Sequence, residues 1–263
     1  MRAGGARRGT RLTDASPGRL FVGTSGFAYP DWSPRFYPPG LRGDALLPWY
    51  ATRFPSCELN NTFYQRPTEA KVRSWVAATP EGFRFAVKAQ RGGSLRAFLR
   101  DPDGSIPWLN EPLAWFGDRL GSVLFRVPGD VRFDLGRLES FLAAWPSTVP
   151  LTMEFEAADW AVDETFARLQ AARVALCATE RPEDPDPPAL HLTGRFLYLR
   201  LRRHDYEPDA IEAWAARIVP FLDAGTDAFV FFRHDEVGRA TELAAALDEA
   251  VGRTRGAGRS VVR

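Results

Sequence analysis

Short apolar runs recur along the chain from residue 19 onward, and stretches with helical spacing of apolar residues separate most of them. The runs have the length and the β-branched or aromatic content of buried strands. We predict eight strands, at residues 19–23, 55–60, 83–88, 122–127, 151–156, 174–178, 196–202 and 228–232. We predict helices at residues 44–54, 67–79, 110–120, 134–145, 163–172 and 208–222, and a final helix that ends near residue 251.

A strand–helix unit repeated over this length predicts a parallel barrel. The expected fold class is therefore α/β, a single (β/α)8 TIM-barrel-like domain of parallel strands over residues 19–252. An open, doubly wound sheet is the alternative. It is disfavoured because the turn after the first strand, Gly23-Thr24-Ser25-Gly26, matches neither the dinucleotide-binding nor the Walker glycine pattern.

Four segments do not follow the strand–helix pattern. Residues 27–40 are too rich in proline and aromatic residues for a helix, and we expect them to cover part of the barrel. The glycines and prolines of residues 90–109 predict a loop. We expect residues 1–18 to form a flexible basic arm and residues 253–263 a flexible basic tail, because both are rich in glycine and arginine.

The net charge of +1 hides an uneven distribution. Residues 1–19 hold five arginines and one aspartate, and residues 253–263 hold four arginines, so the body between them is acidic. An acidic body argues against a broad nucleic-acid surface, although contacts from the basic termini and the aromatic residues of 27–37 remain an alternative. The expected partner is a small polar or anionic molecule.

Nothing in the sequence indicates a membrane, a disulfide or a metal. Residues 1–18 lack the apolar segment of a signal peptide, and no apolar run reaches the ~18 residues of a membrane span. Cys57 and Cys177 lie far apart, and the three histidines show no metal-ligand spacing. We therefore expect a cytoplasmic protein with no cofactor and no tightly bound metal.

Parallel barrels place their chemistry at the carboxyl ends of the strands, and polar side chains occur there in this chain. The run from Glu58 to Tyr64 is the first example, because alternation directs Glu58 and Asn60 to one face of the strand. We predict Glu58, Lys88 and Glu154 to be catalytic. The predicted substrate-binding residues are Thr24, Tyr29, Trp32, Asn60, Tyr64, Arg126, Glu156, Arg200, Arg202, His234 and Asp235.

Lysine is rare in this chain. Among 34 basic residues only Lys71 and Lys88 are lysine, and the others are arginine. A lysine retained in this background indicates a need for the ammonium group, more so at the end of a strand (Lys88) than in a helical stretch (Lys71). A simple ion pair between Lys88 and Glu58 is the favoured interpretation, and a Schiff-base nucleophile is the alternative.

The mixed charges at the strand ends fit more than one role. In one interpretation Glu58 or Glu154 is a general acid or base whose pKa is tuned by Lys88 and Arg200. In another, the charges form an ion-pair network that only stabilises the barrel. A glycosidase would use Glu58 and Glu154 as its paired carboxylates.

Three stretches form a recognisable set of motifs. They are Gly23-Thr24-Ser25-Gly26-Phe27 with Tyr29, Trp32 and Phe36-Tyr37-Pro38; Glu58-Leu59-Asn60-Asn61-Thr62-Phe63-Tyr64 with Pro67; and Phe83-Arg84-Phe85-Ala86-Val87-Lys88-Ala89. These stretches resemble the DUF72 family, also called YecE-like. The resemblance extends over residues 20–250 and implies a TIM-barrel-like fold. It does not imply an activity.

The chain also departs from the pattern of the family it resembles. Phe27 and Arg202 stand where tryptophan and histidine are usual, and residues 92–95 lack the usual Thr-His pair. Arg126 replaces a usual glutamine, and Glu156 replaces a usual arginine. This exchange predicts an ion pair between Arg126 and Glu156, with their charged groups within about 6 Å of each other.

These observations predict an enzyme that uses acid–base or electrostatic catalysis at the barrel mouth. Its substrate would be small and polar or anionic, such as a sugar, a sugar phosphate or a nucleotide fragment. A hydrolase or a lyase is the expected class. The alternative is a ligand-binding or nucleic-acid-binding module without catalysis, because the departures from the family pattern are compatible with a loss of activity.

Overall fold

The computed structural model describes residues 16–260, and for residues 258–260 only the backbone. Eight strands form one sheet in which all paired neighbours are parallel. The strands are β1 Leu20–Thr24, β2 Ser56–Leu59, β3 Arg84–Lys88, β4 Leu120–Val127, β5 Leu151–Phe155, β6 Ala175–Glu180, β7 Phe196–Leu201 and β8 Asp227–Phe232. The predicted α/β TIM-barrel-like fold is confirmed.

Helices follow most of the strands and surround the sheet. They are α1 Leu46–Ala51, α2 Asn61–Tyr64, α3 Glu69–Ala77, α4 Arg91–Leu99, α5 Pro102–Asn110, α6 Leu135–Ala144, α7 Asp163–Ala172, α8 Pro208–Asp223 and α9 Arg239–Ser260. Short 3-10 helices occupy Pro30–Trp32, Gly43–Ala45, Glu111–Arg119 and Ala158–Trp160. Within residues 16–260, no helix combines the length and the apolar character needed to cross a bilayer.

A tyrosine joins the two strands at the ends of the pairing order. Backbone pairing runs from β1 to β8 and then in descending order to β2. The hydroxyl of Tyr50, on α1, accepts from the amide of Thr24 at 2.8 Å and donates to the carbonyl of Ser56 at 3.1 Å. The phenol therefore bridges β1 and β2 and brings the barrel close to full closure.

The barrel interior changes in character from its base to its mouth. At the base, Phe21 and Phe229 stack with 4.7 Å between ring centroids and pack with Leu124 and Tyr198 in a small inner cluster. A much larger apolar cluster lies between the strands and the helices. Towards the carboxyl ends of the strands the inward side chains become polar, and this layer holds the candidate site.

The prediction of a loop at residues 90–109 is wrong, because α4 and α5 occupy most of that segment. Capping side chains begin both helices. Gln90 Oε1 accepts from the amide of Gly93 at 2.7 Å, and Asp101 Oδ1 accepts from an amide in the first turn of α5 at 3.0 Å. An added Cβ at Gly93 would lie 2.6 Å from the Trp108 ring. Close packing of the two helices thus requires glycine at position 93, although the low helix propensity of glycine argues against a helix there.

The boundaries of the next two elements also differ from the prediction. The helix expected at residues 110–120 is a 3-10 helix, and Gly117, with a φ of 52°, interrupts it. Only glycine adopts this left-handed conformation without strain, so the chain can turn there into the following strand. β4 consequently begins at Leu120 rather than at residue 122.

The predicted carboxyl-terminal tail is largely helical. α9 includes residues 253–260. Arg253 pairs with Glu212 at 2.6 Å, and Arg255 pairs with Asp223 at 3.0 Å. These ion pairs connect the end of α9 to α8, which explains why an arginine-rich and glycine-rich sequence continues the helix.

The boundary of the amino-terminal arm shifts as well. The amide of Gly18 donates to the carbonyl of Leu222 at 2.7 Å, and its carbonyl accepts from Arg255 at 3.2 Å. Gly18 therefore belongs to the barrel and not to the arm. The rest of the predicted arm and tail, at residues 1–15 and 261–263, lies outside the described residues.

Candidate functional site

Three buried charged side chains meet inside the barrel below its mouth. Glu58 comes from β2, Glu154 from β5 and Arg200 from β7, and none of them is more than 4% exposed. Arg200 Nη2 donates to Glu58 Oε1 at 2.9 Å, and Nη1 donates to both oxygens of Glu154 at 2.9 Å. We call these three residues the buried charge network. One guanidinium holds two carboxylates, so the network carries a net negative charge.

Glu58 accepts hydrogen bonds from four residues, three of them at Oε1. Besides Arg200, Oε1 accepts from Ser25 Oγ at 2.9 Å and from Asn60 Nδ2 at 3.0 Å, and Oε2 accepts from the Tyr198 hydroxyl at 2.8 Å. The contact with Asn60 agrees with the prediction that these two side chains share a face. It also leaves Glu58 with four donors on two oxygens.

The pKa values of both network carboxyl groups lie below their usual values. Burial acts to raise the pKa of Glu58, but the charges of Arg200 and Lys88 outweigh it. Burial also opposes the lowering at Glu154, where Arg200 and the Thr179 hydroxyl, which donates at 2.7 Å, bring the pKa to about 2. Two ionised carboxylates in fixed hydrogen bonds are poorly suited to proton transfer. The geometry thus argues against the predicted acid–base roles and against a glycosidase, which needs one protonated carboxyl.

Lys88, at the end of β3, does not form the predicted ion pair with Glu58. It is 8% exposed, and Nζ lies 4.5 Å from the centroid of the Phe63 ring. Among the described side chains, no carboxylate oxygen lies within 4.0 Å of Nζ, and the four hydrogen bonds to Glu58 come from other residues. Burial and the charge of Arg200 lower the pKa of Lys88 to about 8, while Glu58 and Glu154 act in the opposite direction.

The ion pair predicted between Arg126 and Glu156 is confirmed. Arg126 Nε lies 2.5 Å from Glu156 Oε1, and Nη2 lies 2.6 Å from Oε2. The pair is bidentate and half-buried on neighbouring strands, β4 and β5. Its hydrogen bond raises the pKa of Arg126. The two charges balance each other, which weakens the predicted contribution of either residue to substrate binding.

Arg202 and His234 lie at the mouth and have fewer polar contacts than the residues of the buried charge network. Arg202 follows Arg200 by two residues and so continues the inward face of β7. Its side chain forms no hydrogen bond or ion pair with the rest of the described chain, and burial followed by the charge of Arg200 lowers its pKa. The His234 ring stacks on Tyr29 with 4.8 Å between centroids, and burial followed by the charges of Arg233 and Arg202 lowers its pKa.

Three predicted substrate-binding residues serve the fold instead. Trp32 is fully buried, and its indole donates to the carbonyl of Asp235 at 2.8 Å. The Asp235 carboxylate accepts from three amides in the turn that begins α9. Thr24 Oγ1 donates to the carbonyl of Gly26 at 2.7 Å and also contacts the Tyr50 hydroxyl. The polar groups of these three residues are used by neighbouring backbone and side chains, which makes them less available to a substrate than predicted.

Two aromatic residues predicted to bind substrate, Tyr29 and Tyr64, lie near the mouth, and Tyr64 ends α2. Tyr64 is 78% exposed, and Tyr29 is partly buried, which raises the pKa of its hydroxyl. Beside Tyr29 and Asn60 lies a cavity of about 420 Å³ that extends to Lys71 and Trp75 on α3. Its volume is within the range of small-molecule sites, about 300–1,000 Å³.

Among the donors to the network carboxylates, Tyr198 was not predicted from the sequence, and Ser25 and Thr179 were recognised only as polar residues at strand ends. Tyr198 precedes Arg200 by two residues, so strand alternation could have placed both on the inward face. Ser25 directly follows β1, and Thr179 lies near the end of β6. Their hydrogen-bond partners depend on which strands face each other across the barrel.

No metal centre is apparent in the part of the chain that the structure describes, where no three histidine, cysteine, aspartate or glutamate side chains are arranged to hold an ion. Cys57 and Cys177 are buried free thiols, and burial raises the pKa of each. Metal-independent chemistry stays a prediction.

Eight parallel strands surrounded by helices, with a polar layer at the strand ends, define a TIM-barrel-like protein. A family model described as "Protein of unknown function DUF72" matches residues 21–261. The chain belongs to the DUF72 family, and the resemblance noted in its sequence motifs is confirmed.

Solved structures share the fold. A DUF72 family protein from Thermotoga maritima MSB8 superposes with a TM-score of 0.77 at 24% identity, covering 89% of this chain and 99% of that one. A second, from Enterococcus faecalis V583, gives a TM-score of 0.72 at 18% identity, covering 89% and 98%. At these identities the similarity concerns the fold alone.

A curated relative matches a shorter part of the sequence. The UPF0759 protein YunF of Bacillus subtilis (strain 168) is 34% identical over 73 residues. The match covers 28% of this chain and spans a quarter of the relative's length.

Proposed function

We propose that this protein is an enzyme that binds a small anionic molecule at the carboxyl ends of its barrel strands. The observation that supports this most is that two cations, Lys88 and Arg202, each lie near the buried charge network at the barrel mouth. Within the described residues neither has a carboxylate partner, and burial lowers the pKa of both. Lys88 is buried and Arg202 is partly buried, and a cation removed from water without a partner is costly unless a ligand supplies the opposite charge.

The carboxylates near these cations are already engaged. The buried charge network combines two carboxylates with one guanidinium, and Glu156 is paired with Arg126. With Lys88 protonated, these groups and Arg202 carry an excess of positive charge in partly buried surroundings. A carboxylate or phosphate group is the natural complement to that excess.

The properties of Lys88 favour an enzyme over a passive binding module. A pKa of about 8 lets the amine gain and lose a proton near neutral pH. Lys88 therefore replaces Glu58 and Glu154 as the group best suited to proton transfer. Tyr29 and Tyr64 border the mouth. Tyr29 also lines the cavity of about 420 Å³, whose lining does not include Lys88 or Arg202.

A thermal-shift screen tests the anion site. Wild type, Lys88→Met and Arg202→Gln would be screened with phosphorylated sugars, nucleotides, inorganic phosphate, free sugars and divalent metals. Arg96→Gln is the matched control, because Arg96 is an exposed cation on α4. We expect anions to raise the melting temperature of wild type and Arg96→Gln, with a smaller or no shift in the two mouth variants.

Equal shifts in all four proteins, or shifts with neutral sugars alone, would contradict the anion site. A shift that depends on Lys88 and Arg202 without turnover of any bound anion would support the binding module instead.

A further inference from the structure

The two lysines of this chain lie in contrasting environments. The Lys71 side chain is half exposed on α3, with Nζ 3.4 Å from an oxygen of Asp44. Lys88 is buried against the Phe63 ring, and the described residues place no carboxylate within 4.0 Å of its Nζ. Lys71 has the surroundings of an ordinary surface cation, whereas Lys88 does not.

The choice of lysine at position 88 has a chemical meaning in a chain whose other basic residues, Lys71 apart, are all arginine. A guanidinium remains protonated and would serve as an anion-binding cation. An amine can lose its proton and become a nucleophile, which a guanidinium in a protein cannot do. A site that needed only positive charge would be served by the residue that the chain uses nearly everywhere else.

The surroundings of Lys88 make its neutral amine more accessible than that of an ordinary lysine. Burial disfavours the ammonium form most, and Arg200 and Arg126 repel it further. Glu58 and Glu154 attract the ammonium, but their oxygens are held by Arg200 and by hydroxyl and amide donors. No described carboxylate is positioned to pair with the amine and block attack on a substrate.

We infer that Lys88 forms an imine with a small anionic aldehyde or ketone whose carboxylate or phosphate is bound by Arg202. This inference rests on the proposed function, because it uses the same anion site. The neutral amine attacks the carbonyl carbon and forms a C–N bond. The two amine hydrogens leave with the carbonyl oxygen as water, and a C=N bond replaces the C=O bond. The step needs no oxidant or reductant.

Borohydride trapping tests the imine directly. The full chain would be incubated with pyruvate or with glyceraldehyde 3-phosphate, reduced with sodium borohydride, and examined by intact-protein and peptide mass spectrometry. The two probes distinguish a carboxylate from a phosphate as the recognised anion. Lys88→Arg preserves the positive charge and removes the nucleophile, and Lys71→Arg is the matched control.

We expect a reduced adduct on Lys88 in wild type and Lys71→Arg, and none at position 88 in Lys88→Arg. Labelling should increase as the pH rises through the pKa of Lys88, because the neutral amine is the reactive form. Arg202→Gln should reduce the labelling by about tenfold, since a charged hydrogen bond to the anion is lost. Lactate or glycerol 3-phosphate, which lack the carbonyl group, should compete.

Adducts confined to Lys71, or equal labelling of both lysines by the probes and by uncharged glyceraldehyde, would overturn the imine. The experiment also tests the anion site independently of the imine. If lactate and glycerol 3-phosphate raise the melting temperature of wild type and Lys88→Arg but not of Arg202→Gln, and no adduct forms on Lys88, the anion site stands and the imine is refuted. If they raise it in none of these proteins and no adduct forms, both are refuted.

Discussion

Two buried glutamates, Glu180 and Glu58, lie on barrel strands and have very different surroundings. Glu180, at the end of β6, packs against α8. Its Oε2 accepts from the Tyr206 hydroxyl at 2.7 Å and from the Trp214 indole at 3.2 Å, and its Oε1 lies 3.0 Å from Arg203 Nε. Each oxygen has a partner, and one carboxylate meets one cation. Glu58 instead belongs to a network beside which Lys88 and Arg202 lack carboxylate partners among the described residues.

The difference shows how a structural ion pair can be distinguished from a candidate site. Around Glu180 the charges balance within the protein, so stability alone explains the arrangement. Around Glu58 the carboxylates are satisfied but the cations are in excess. An excess of positive charge in such partly buried surroundings is unfavourable for stability. The excess therefore indicates a functional role rather than a structural one. Substitutions in the two clusters should therefore affect stability and ligand binding differently.

The largest effect is expected for Arg200→Met. Loss of the guanidinium leaves Glu58 and Glu154 buried without their shared cation, and removing one member of a buried ion pair typically costs about 3–5 kcal/mol. The free energy of unfolding, measured by urea denaturation at neutral pH, should fall by that amount. A loss recovered at low pH would agree with this cause, because protonating the carboxylates relieves their repulsion.

A loss below about 1 kcal/mol would show that the network is not a stabilising unit.

The pH dependence of stability should reveal the buried amine of Lys88. Its pKa is about 8 in the folded protein and 10.5 ordinarily. Between these values the unfolded chain binds more protons, so the free energy of unfolding should rise with pH in wild type relative to Lys88→Met. A shift of this size corresponds to at most about 3 kcal/mol. Urea denaturation of both proteins from about pH 7 to about pH 10 measures the difference. Parallel curves would contradict the lowered pKa.

The smallest effect is expected for Glu180→Gln. Glutamine keeps an oxygen for Tyr206 and Trp214, and Arg203 is exposed enough to be solvated after the charge is lost. The free energy of unfolding should fall by about 1–2 kcal/mol. The melting-temperature shifts produced by anions should be unchanged, and a loss of those shifts would show that the two clusters are coupled.

Much of the architecture follows from local sequence patterns. Strand-length apolar runs identified all eight strands, because a barrel strand is apolar along most of its length whatever its neighbours are. The Arg126–Glu156 pair was also predictable, since consecutive strands of a parallel barrel are neighbours and their ends lie side by side. Residues 90–109 were mispredicted, because the contact of Gly93 with Trp108 outweighs the low helix propensity of glycine.

The sequence by itself determined the strand order, the layer of polar residues at the strand ends and the unusual retention of lysine at position 88. Tertiary structure alone decided which charges are paired. Tyr198 and Arg200 reach Glu58 across the barrel from positions 140 and 142 residues away in the chain. Such contacts depend on the curvature of the closed sheet, and no local pattern encodes them. For that physical reason the partner expected for Lys88 proved to be bound to Arg200.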